Sequence, residues 1–247
     1  MTASERHLAP FCDADRPIDC LGLVPADLSL WLVASTLPDG TTLHWDPSHG
    51  DEVLYVSAGA LSVDGRICDR DGALVVEAGV PARARAQGLT RVIHMGARDP
   101  SPPGDGPHGP PAAHGHSVHV VGPRGTFERT EAGREARFFA DATCKTCRSW
   151  LLYTSRDFAY ETSIHSHSQD ELIHVLAGAL SLGSLQLEPG STLFVPKHQL
   201  YRLRGGADGF AFLNYRRDAS RMRVQGEDTT LMENGRSTGM TATGDAR

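Results

Sequence analysis

Two histidines and a glutamate lie close together in the segment His165-Ser-His167-Ser-Gln-Asp-Glu171. Successive side chains of a β-strand point to opposite faces, so His165 and His167 share one face. Glu171 shares that face if the strand continues without a bulge. Two imidazoles and one carboxylate are suitable ligands for a divalent metal and leave coordination positions open for a substrate. The segment therefore predicts a metal site formed by His165, His167 and Glu171.

Short apolar or alternating runs, which are typical of strands, recur along the chain between Gly, Pro and Asp turn residues. The clearest predicted strands are 52–56, 73–76, 149–153, 172–176 and 210–213. One helix is predicted, around Ala26–Leu37. These signals predict an all-β protein with the closely spaced turns of a β-sandwich or barrel.

The chain also contains an internal repeat. Ala58-Gly-Ala-Leu-Ser62 recurs 119 residues later as Ala177-Gly-Ala-Leu-Ser181, and the same offset relates Glu52 to Glu171. The offset needs no gap over residues 52–85. Two copies of one β-rich unit are the economical explanation.

Proline and glycine are concentrated between residues 99 and 117, and this composition cannot build a packed core. Residues 226–247 are polar and lack periodicity, which predicts a disordered or loosely attached tail. We therefore expect an N-terminal domain over residues 1–98, a linker over 99–117, a C-terminal domain over 118–225, and the tail.

The second copy resembles the cupin superfamily, whose first motif reads G-x5-H-x-H-x3-4-E-x6-G. His165, His167, Glu171 and Gly178 match the core of this motif, although its leading glycine is absent. The second cupin motif, G-x5-P-x-G-x2-H-x3-N, is matched in part over residues 190–196. The resemblance implies a bicupin, that is, two tandem jelly-roll barrels (double-stranded β-helices) joined by the Pro/Gly-rich linker, each with its site inside the barrel.

Tyr201 occupies the position where cupins usually have their last metal-binding histidine. His198 is close by, but it stands where the motif has its turn glycine. We expect Tyr201 to be a catalytic acid or base, or to hydrogen bond a metal-bound group, rather than to be a ligand. The sequence leaves open whether Tyr201 or His198 binds the metal.

The N-terminal copy has lost this pattern. The offset places Asp46, Ser48 and Ala82 at the positions of the two histidines and the tyrosine. The simpler interpretation is that the N-terminal copy is a degenerate cupin domain with a structural or dimerising role. An alternative ligand set in this copy consists of His44, Asp46, His49 and Glu52.

The resemblance implies a metal-dependent enzyme whose substrate is a small chelating organic molecule. Fe(II) is the metal that we expect first, and Ni, Mn, Co and Zn are compatible with the same ligand types. An iron site that holds dioxygen beside the substrate would make the protein a non-haem dioxygenase, an oxidoreductase. A metal-dependent isomerase or lyase is the first alternative, and a non-catalytic sensor of a small molecule or metal is the second.

The composition argues against several other function classes. The formal net charge of −6 gives no basic surplus, so nucleic-acid binding has no support. No apolar run is long enough to span a bilayer, and the N-terminal segment lacks the pattern of a secretory signal, so we expect a cytoplasmic location. We expect a monomer or a homodimer formed through a sheet edge.

The five cysteines are dispersed and odd in number, which argues against a disulfide scaffold. Only Cys144 and Cys147 have the spacing of metal ligands or a redox pair. Because structural zinc normally needs four ligands, a turn with reduced thiols is the simpler interpretation. A redox pair, or a zinc site completed by a distant residue, is the alternative.

Overall fold

The computed structural model describes residues 19–21, 28–99, 117–141, 143–226 and 230–233, with only the backbone described at 19–21 and 230–233. These residues contain strands and no helix, so the all-β prediction is confirmed. They divide into two compact units, residues 19–99 with 117–126 and residues 127–233.

The first unit is one sheet of eight antiparallel strands. The strands are β1 (Asp19–Leu21), β2 (Leu30–Leu37), β3 (Thr42–Trp45), β4 (Glu52–Val63), β5 (Arg66–Asp69), β6 (Ala73–Val76), β7 (Ala82–Ala97) and β8 (Val118–Val121). Their order is β1-β2-β7-β4-β6-β8, with β3 also paired to β7 and β5 to β4. Alternate residues such as Leu54, Leu61 and Leu74 are buried in one apolar core.

The second unit has a sheet of eight strands and a sheet of three. Its strands are β9 (Phe127–Glu131), β10 (Arg134–Ala140), β11 (Trp150–Arg156), β12 (Tyr160–Glu161), β13 (His165–His167), β14 (Glu171–Leu182), β15 (Leu185–Leu187), β16 (Thr192–Val195), β17 (Leu203–Arg216), β18 (Ser220–Val224) and β19 (Thr230–Glu233). The larger sheet has the order β15-β14-β17-β11-β10-β9, with β12 paired to β17 and β16 to β14. The smaller sheet is β13-β18-β19.

The predicted helix around Ala26–Leu37 is wrong where the structure describes it. Residues 26 and 27 lie outside the described residues, and Leu30–Leu37 is strand β2. The strand pairs along its whole length with β7, from Leu30 opposite Ala97 to Leu37 opposite Thr90. This pairing outweighs any local helix preference of a segment that contains Trp, Val and Thr. The described residues accordingly contain no helix that could cross a membrane.

The internal repeat is confirmed by strand register. Glu52 lies opposite Val76, and Glu171 lies opposite Val195, so both pairs keep the offset of 119. On β7 and β17, the strands that pair with β4 and β14, the offset becomes 120. Glu52 lies opposite Gly96, whereas Glu171 lies opposite Arg216. The second copy therefore has one extra residue between β14 and the end of β17.

The boundaries of the units differ from the predicted domains at two places. Residues 118–121, predicted to begin the C-terminal domain, form β8 and pair with β6 of the first unit. Thr230–Glu233, within the predicted disordered tail, forms β19 because its backbone completes a ladder with β18. The predicted linker lies outside the described residues except for Asp99 and Ser117.

Gly178, the glycine of the first motif, lies within β14 where the register with β17 shifts, and it has φ of +68°. A Cβ atom there would collide with the carbonyl oxygen of Gly209 and would lie 2.7 Å from Phe210 Cα. Both obstacles are backbone, so neither can move aside as a side chain could. The position therefore requires glycine for its φ angle and for its lack of a side chain.

We expect Gly178→Ala to lower the free energy of unfolding by about 3 kcal/mol, since left-handed strain and a backbone collision add. Gly183→Ala is the matched control, because Gly183 has φ of +59° but no atom within 4 Å of the added Cβ. The control should lose only about 1 kcal/mol. Denaturant titration of both variants measures their free energies of unfolding. Equal losses in the two variants would contradict a backbone collision at position 178.

Candidate functional site

His165 and His167 lie side by side on β13. The strand pairs with β18, and a backbone bridge joins His165 to Tyr201. Because one residue separates the two histidines, both side chains point to the same face, and their ring centroids are 5.0 Å apart. Both rings are buried. The predicted pairing of the two imidazoles is therefore present.

Hydrogen bonds define the tautomer of each imidazole. His165 Nδ1 lies 2.7 Å from the carbonyl oxygen of Ser163, an acceptor, so Nδ1 carries the proton. His167 Nε2 lies 3.2 Å from Nη2 of Arg216, which can only donate, so Nε2 is the acceptor. The proton of His167 is then on Nδ1, 3.2 Å from Ser220 Oγ. Both rings thus carry their lone pair on Nε2, the tautomer of a metal-binding histidine with a fixed second nitrogen.

Glu171 begins β14 and is completely buried. Its Oε2 accepts hydrogen bonds from Asn214 Nδ2 at 2.9 Å and from Arg216 Nε and Nη2 at 3.2 and 3.1 Å. Burial alone would raise the pKa of this carboxyl, but the Arg216 guanidinium and hydrogen bonds from Tyr201 and Asn214 bring the pKa below its ordinary value. Glu171 is therefore an ionised carboxylate held by a cation.

Arg216, the last residue of β17, was not predicted from the sequence, and neither were Asn214 and Ser220. Its guanidinium carbon lies 4.3 Å from the ring centroid of Trp150, the residue opposite it on β11. It contacts Glu171, His167 and, at 3.4 Å, Ser220 Oγ. Strand alternation along 210–216 was the available signal, since it puts Asn214 and Arg216 on the face of the cavity-lining phenylalanines.

The three predicted ligands lie in one cluster, but their ligand atoms are not all close enough together to bind one ion. His167 Nε2 and Glu171 Oε2 are 3.9 Å apart, and Arg216 Nη2 contacts both atoms. The described residues of this unit do not place ligand atoms of His165, His167 and Glu171 all within 4.8 Å of one another. In donor type, tautomer and charge, the set fits a divalent metal. Coordination requires the Arg216 guanidinium to leave two of the ligand atoms.

Tyr201 is buried beside the imidazoles, with its ring centroid 4.5 Å from that of His165 and 6.1 Å from that of His167. His198, by contrast, is exposed and has φ of +65°. The equivalent residue of the first unit is Gly79, with φ of +76°. His198 thus occupies the turn position that favours glycine, and Tyr201 is the one of the two that lies beside the imidazoles.

These side chains line a cavity of about 170 Å³ inside the second unit. His165, His167, Tyr201, Asn214 and Arg216 form its polar end. The remaining wall includes the apolar side chains of Leu152, Leu180, Leu203, Phe210, Phe212, Met222 and Val224, together with Thr154, Arg156, Tyr160, Thr162 and Ser163. For scale, an apolar protein cavity of about 150 Å³ can hold benzene. The polar cluster therefore faces a space large enough for a small organic molecule.

The corresponding position of the first unit is built differently. Glu52 accepts hydrogen bonds from Trp45 Nε1 at 2.7 Å and pairs with His94 Nε2 at 2.8 Å. His94 was missed in the sequence because it corresponds to Asn214 only after the one-residue shift in offset. The unit places no imidazole pair beside Glu52 among its described residues.

The alternative ligand set of the first unit is not assembled. Asp46 accepts from the backbone and the hydroxyl of Ser48. Both ring nitrogens of His49 lie next to carbonyl oxygens, those of Gly50 and Val80. The described residues of this unit form no metal-binding group from His44, Asp46, His49 and Glu52.

The two cysteines of the C-x-x-C segment form no disulfide. Cys147 donates its backbone N–H to Cys144 Sγ at 3.2 Å, the local hydrogen bond of a tight turn. Among the described cysteines, Cys68 is also free. The segment is therefore a tight turn, and the choice between a simple turn, a redox pair and a zinc site stays a prediction.

The fold is similar to that of solved cupin structures. A variant of oxalate decarboxylase from Bacillus subtilis superimposes with a TM-score of 0.57 at 15% identity, covering 81% of this chain and 72% of that one. A cupin 2 conserved barrel domain protein from Leptotrichia buccalis gives a TM-score of 0.53 at 11% identity, covering 83% and 91%. No protein-family model and no curated protein sequence matches the chain. These likenesses show that the chain has a cupin fold.

The pairing of Glu171 with Arg216 predicts strong coupling between the two residues. We expect Arg216→Met to lower the free energy of unfolding by about 3–5 kcal/mol at neutral pH, because a buried carboxylate loses its cation. Glu171→Gln in the same chain should restore much of that loss, since the amide needs no cation. Denaturant titration of the two single variants and the double variant measures the coupling between the residues. If the loss of unfolding free energy in the double variant equals the sum of the two single losses, the coupling is contradicted.

Proposed function

We propose that this cupin-fold chain is a metal-dependent enzyme whose second unit holds a divalent ion with His165, His167 and Glu171. The substrate is a small organic molecule bound in the adjoining cavity. In this proposal the two units are the tandem barrels of a bicupin, and the first unit has a supporting role.

One observation carries the proposal: both imidazoles present their lone pair on Nε2, with Nδ1 fixed by Ser163 and by Ser220. Buried His174 also has its Nδ1 hydrogen bonded, to Thr192 Oγ1 at 2.9 Å, so what distinguishes the cluster is that two such rings lie side by side next to a carboxylate. Glu171 adds an ionised carboxylate beside them, so no proton has to be removed before it can bind a cation. The hydrogen bonds of the two rings and the ionised carboxylate therefore support the assignment of these three residues as metal ligands.

The Arg216 guanidinium contacts Glu171 Oε2 and His167 Nε2, and it has to withdraw from them when a metal binds. The exchange is electrostatically reasonable, because one cation replaces another beside the same buried carboxylate. Arg216 remains in the wall of the cavity, where a displaced guanidinium can donate hydrogen bonds to an oxygen atom of the substrate.

Tyr201 is the residue that we assign to proton transfer. Its phenol lies among His165, His167 and Glu171 and lines the cavity, so a bound molecule would meet it next to the imidazoles. The hydrogen bond to Glu171 gives the phenol an acceptor that orients it. A bound divalent metal would supply Lewis acidity and, if redox-active, the capacity to react with dioxygen.

Fe(II) with dioxygen is the form of the reaction that we favour, since two histidines and one carboxylate with open positions are the ligands of non-haem iron oxygenases. Mn(II) is the next candidate, because the oxalate decarboxylase of similar fold contains Mn(II) centres. A manganese centre without oxygen uptake would favour lyase or isomerase chemistry.

A metal-free binding module is the second candidate function. It is favoured by the Arg216 contacts, which already supply Glu171 with a cation. In that case the cavity would bind a ligand without turnover. The same experiment separates the two candidates.

We expect the purified protein, loaded anaerobically with Fe(II) or Mn(II) and then desalted, to retain about one ion per chain by elemental analysis. His165→Ala and Glu171→Ala should lose the ion, because each removes one of three ligands. Tyr201→Phe should retain the ion and slow oxygen consumption with a panel of diketones, catechols and flavonoid-like chelators.

Exposed His198 supplies the matched control, and His198→Ala should keep both the metal and the activity. Metal content that is unaffected by His165→Ala and Glu171→Ala would overturn the site. Loss of the ion in Tyr201→Phe would make Tyr201 a ligand. Absence of metal in every protein, with ligand binding retained, would favour the binding module.

A further inference from the structure

A second buried arginine, Arg156, lines the same cavity at a distance from the metal-ligand cluster. In the pairing of β11 with β17, Arg216 lies opposite Trp150, whereas Arg156 lies opposite Phe210. The two arginines are therefore at opposite ends of the cavity-lining strand pair, with Leu152, Thr154 and Phe212 on the face between them. The cavity has one cationic group at each end.

Arg156 has few compensating contacts for a buried cation. The residue is 6% exposed, and its guanidinium lies 4.5 Å from the ring centroid of Tyr160. Its Nη1 donates to the carbonyl oxygen of Ser155 at 3.3 Å, and its Nε is buried without a hydrogen-bond partner. No carboxylate of the described residues forms an ion pair with it.

The charged groups around Arg156 do not provide its guanidinium with an acidic partner. Burial and then the neighbouring Arg134 guanidinium lower the pKa of Arg156. Tyr160 and then Glu131 oppose this lowering, and Glu131, the one carboxylate among these influences, pairs with Arg129 and Arg134. Buried cations in proteins are normally paired, so a cavity-lining guanidinium in this state is suited to receive an anion from outside the chain.

An apolar cluster lines the cavity beside Arg156. Phe210, which lies opposite Arg156, is nearly parallel to Phe212 with ring centroids 5.8 Å apart, and Leu180 and Leu203 belong to the same buried cluster. A flat or short apolar group would bury its surface there. A simple inorganic anion would leave the same surface uncovered.

From these contacts we infer that Arg156 binds the carboxylate of a small organic acid whose apolar body lies against Phe210 and Phe212. Resting on the proposed function, this names the substrate class: a monocarboxylate with an aromatic or short aliphatic body. Its other end points to His165, His167 and Tyr201. Arg156 is then a residue that determines specificity, separate from the metal ligands.

The experiment measures binding of benzoate and phenylacetate, and of the neutral analogues benzamide and phenylacetamide, by titration calorimetry. We expect each acid to bind at least about tenfold more tightly than its amide, because hydrogen bonds to a charged group are the stronger ones. Arg156→Gln should abolish this preference, and Arg156→Lys should retain part of it. Arg134→Gln is the matched control, since Arg134 is near Arg156 but does not line the cavity.

The comparison of acids with amides in the unsubstituted protein keeps the inference testable even if Arg156→Gln does not fold. Equal affinity for acid and amide, or no binding of either, overturns the inference. A preference for the acids that persists in Arg156→Gln also overturns it.

Parallel titrations of chelator-treated protein and of His165→Ala separate this inference from the metal site. We expect the preference for acids to persist in both, because Arg156 does not contact the metal ligands. If chelator-treated protein and His165→Ala lose the preference for acids while Arg156→Gln keeps it, the acid binds at the metal. That result would refute the role of Arg156 without refuting the metal site. An Arg156-dependent preference in a protein that binds no metal would leave the inference standing and refute the metal site.

Discussion

The chemistry of the second unit depends on one constraint: the buried carboxylate of Glu171 must have a cation beside it. An ionised carboxylate in a protein interior costs several kcal/mol unless it is paired and hydrogen bonded. The register of β14 with β17 meets this need by setting Arg216 opposite Glu171, and Trp150 supports the guanidinium from β11. The tautomer of His167 follows from the same guanidinium. In our proposal a divalent metal satisfies the same constraint, and Arg216 and the metal are alternative cations for one site.

The first unit meets the equivalent constraint with hydrogen bonds from aromatic side chains. Glu52 is held by Trp45 and His94, and the residue opposite it is Gly96 instead of an arginine. A Cβ atom on Gly96 would lie 2.5 Å from Trp31 Cζ2, so the tryptophan fills the space that an arginine side chain would need. The two copies of one unit thus differ in what surrounds a shared glutamate. Among the described residues, the second copy has two imidazoles beside its glutamate and next to a cavity, whereas the first has His94.

Much of the fold and part of the site could be predicted from the sequence because they depend on local spacing. Strand alternation predicted the shared face of His165 and His167, and the repeat predicted that Glu52 and Glu171 are equivalent residues of two copies. The strand β2 could not be predicted, because its conformation comes from pairing with β7, far along the chain. Arg216 was missed for the same reason: it is 45 residues from Glu171, and only the hairpin brings them together. Arg156 carries no motif, and its burial in the cavity emerges from three paired strands.

The competition between Arg216 and a metal can be measured directly as divalent-ion affinity. The measurement is a Co(II) titration, followed by the visible absorption of the ion, of the unsubstituted protein and of Arg216→Met. If the guanidinium and the metal share Glu171 and His167, Arg216→Met will bind Co(II) at least about tenfold more tightly, since no cation has to be displaced. The added Co(II) will also raise its unfolding free energy more than that of the unsubstituted protein. Equal or weaker Co(II) binding by Arg216→Met would contradict the account.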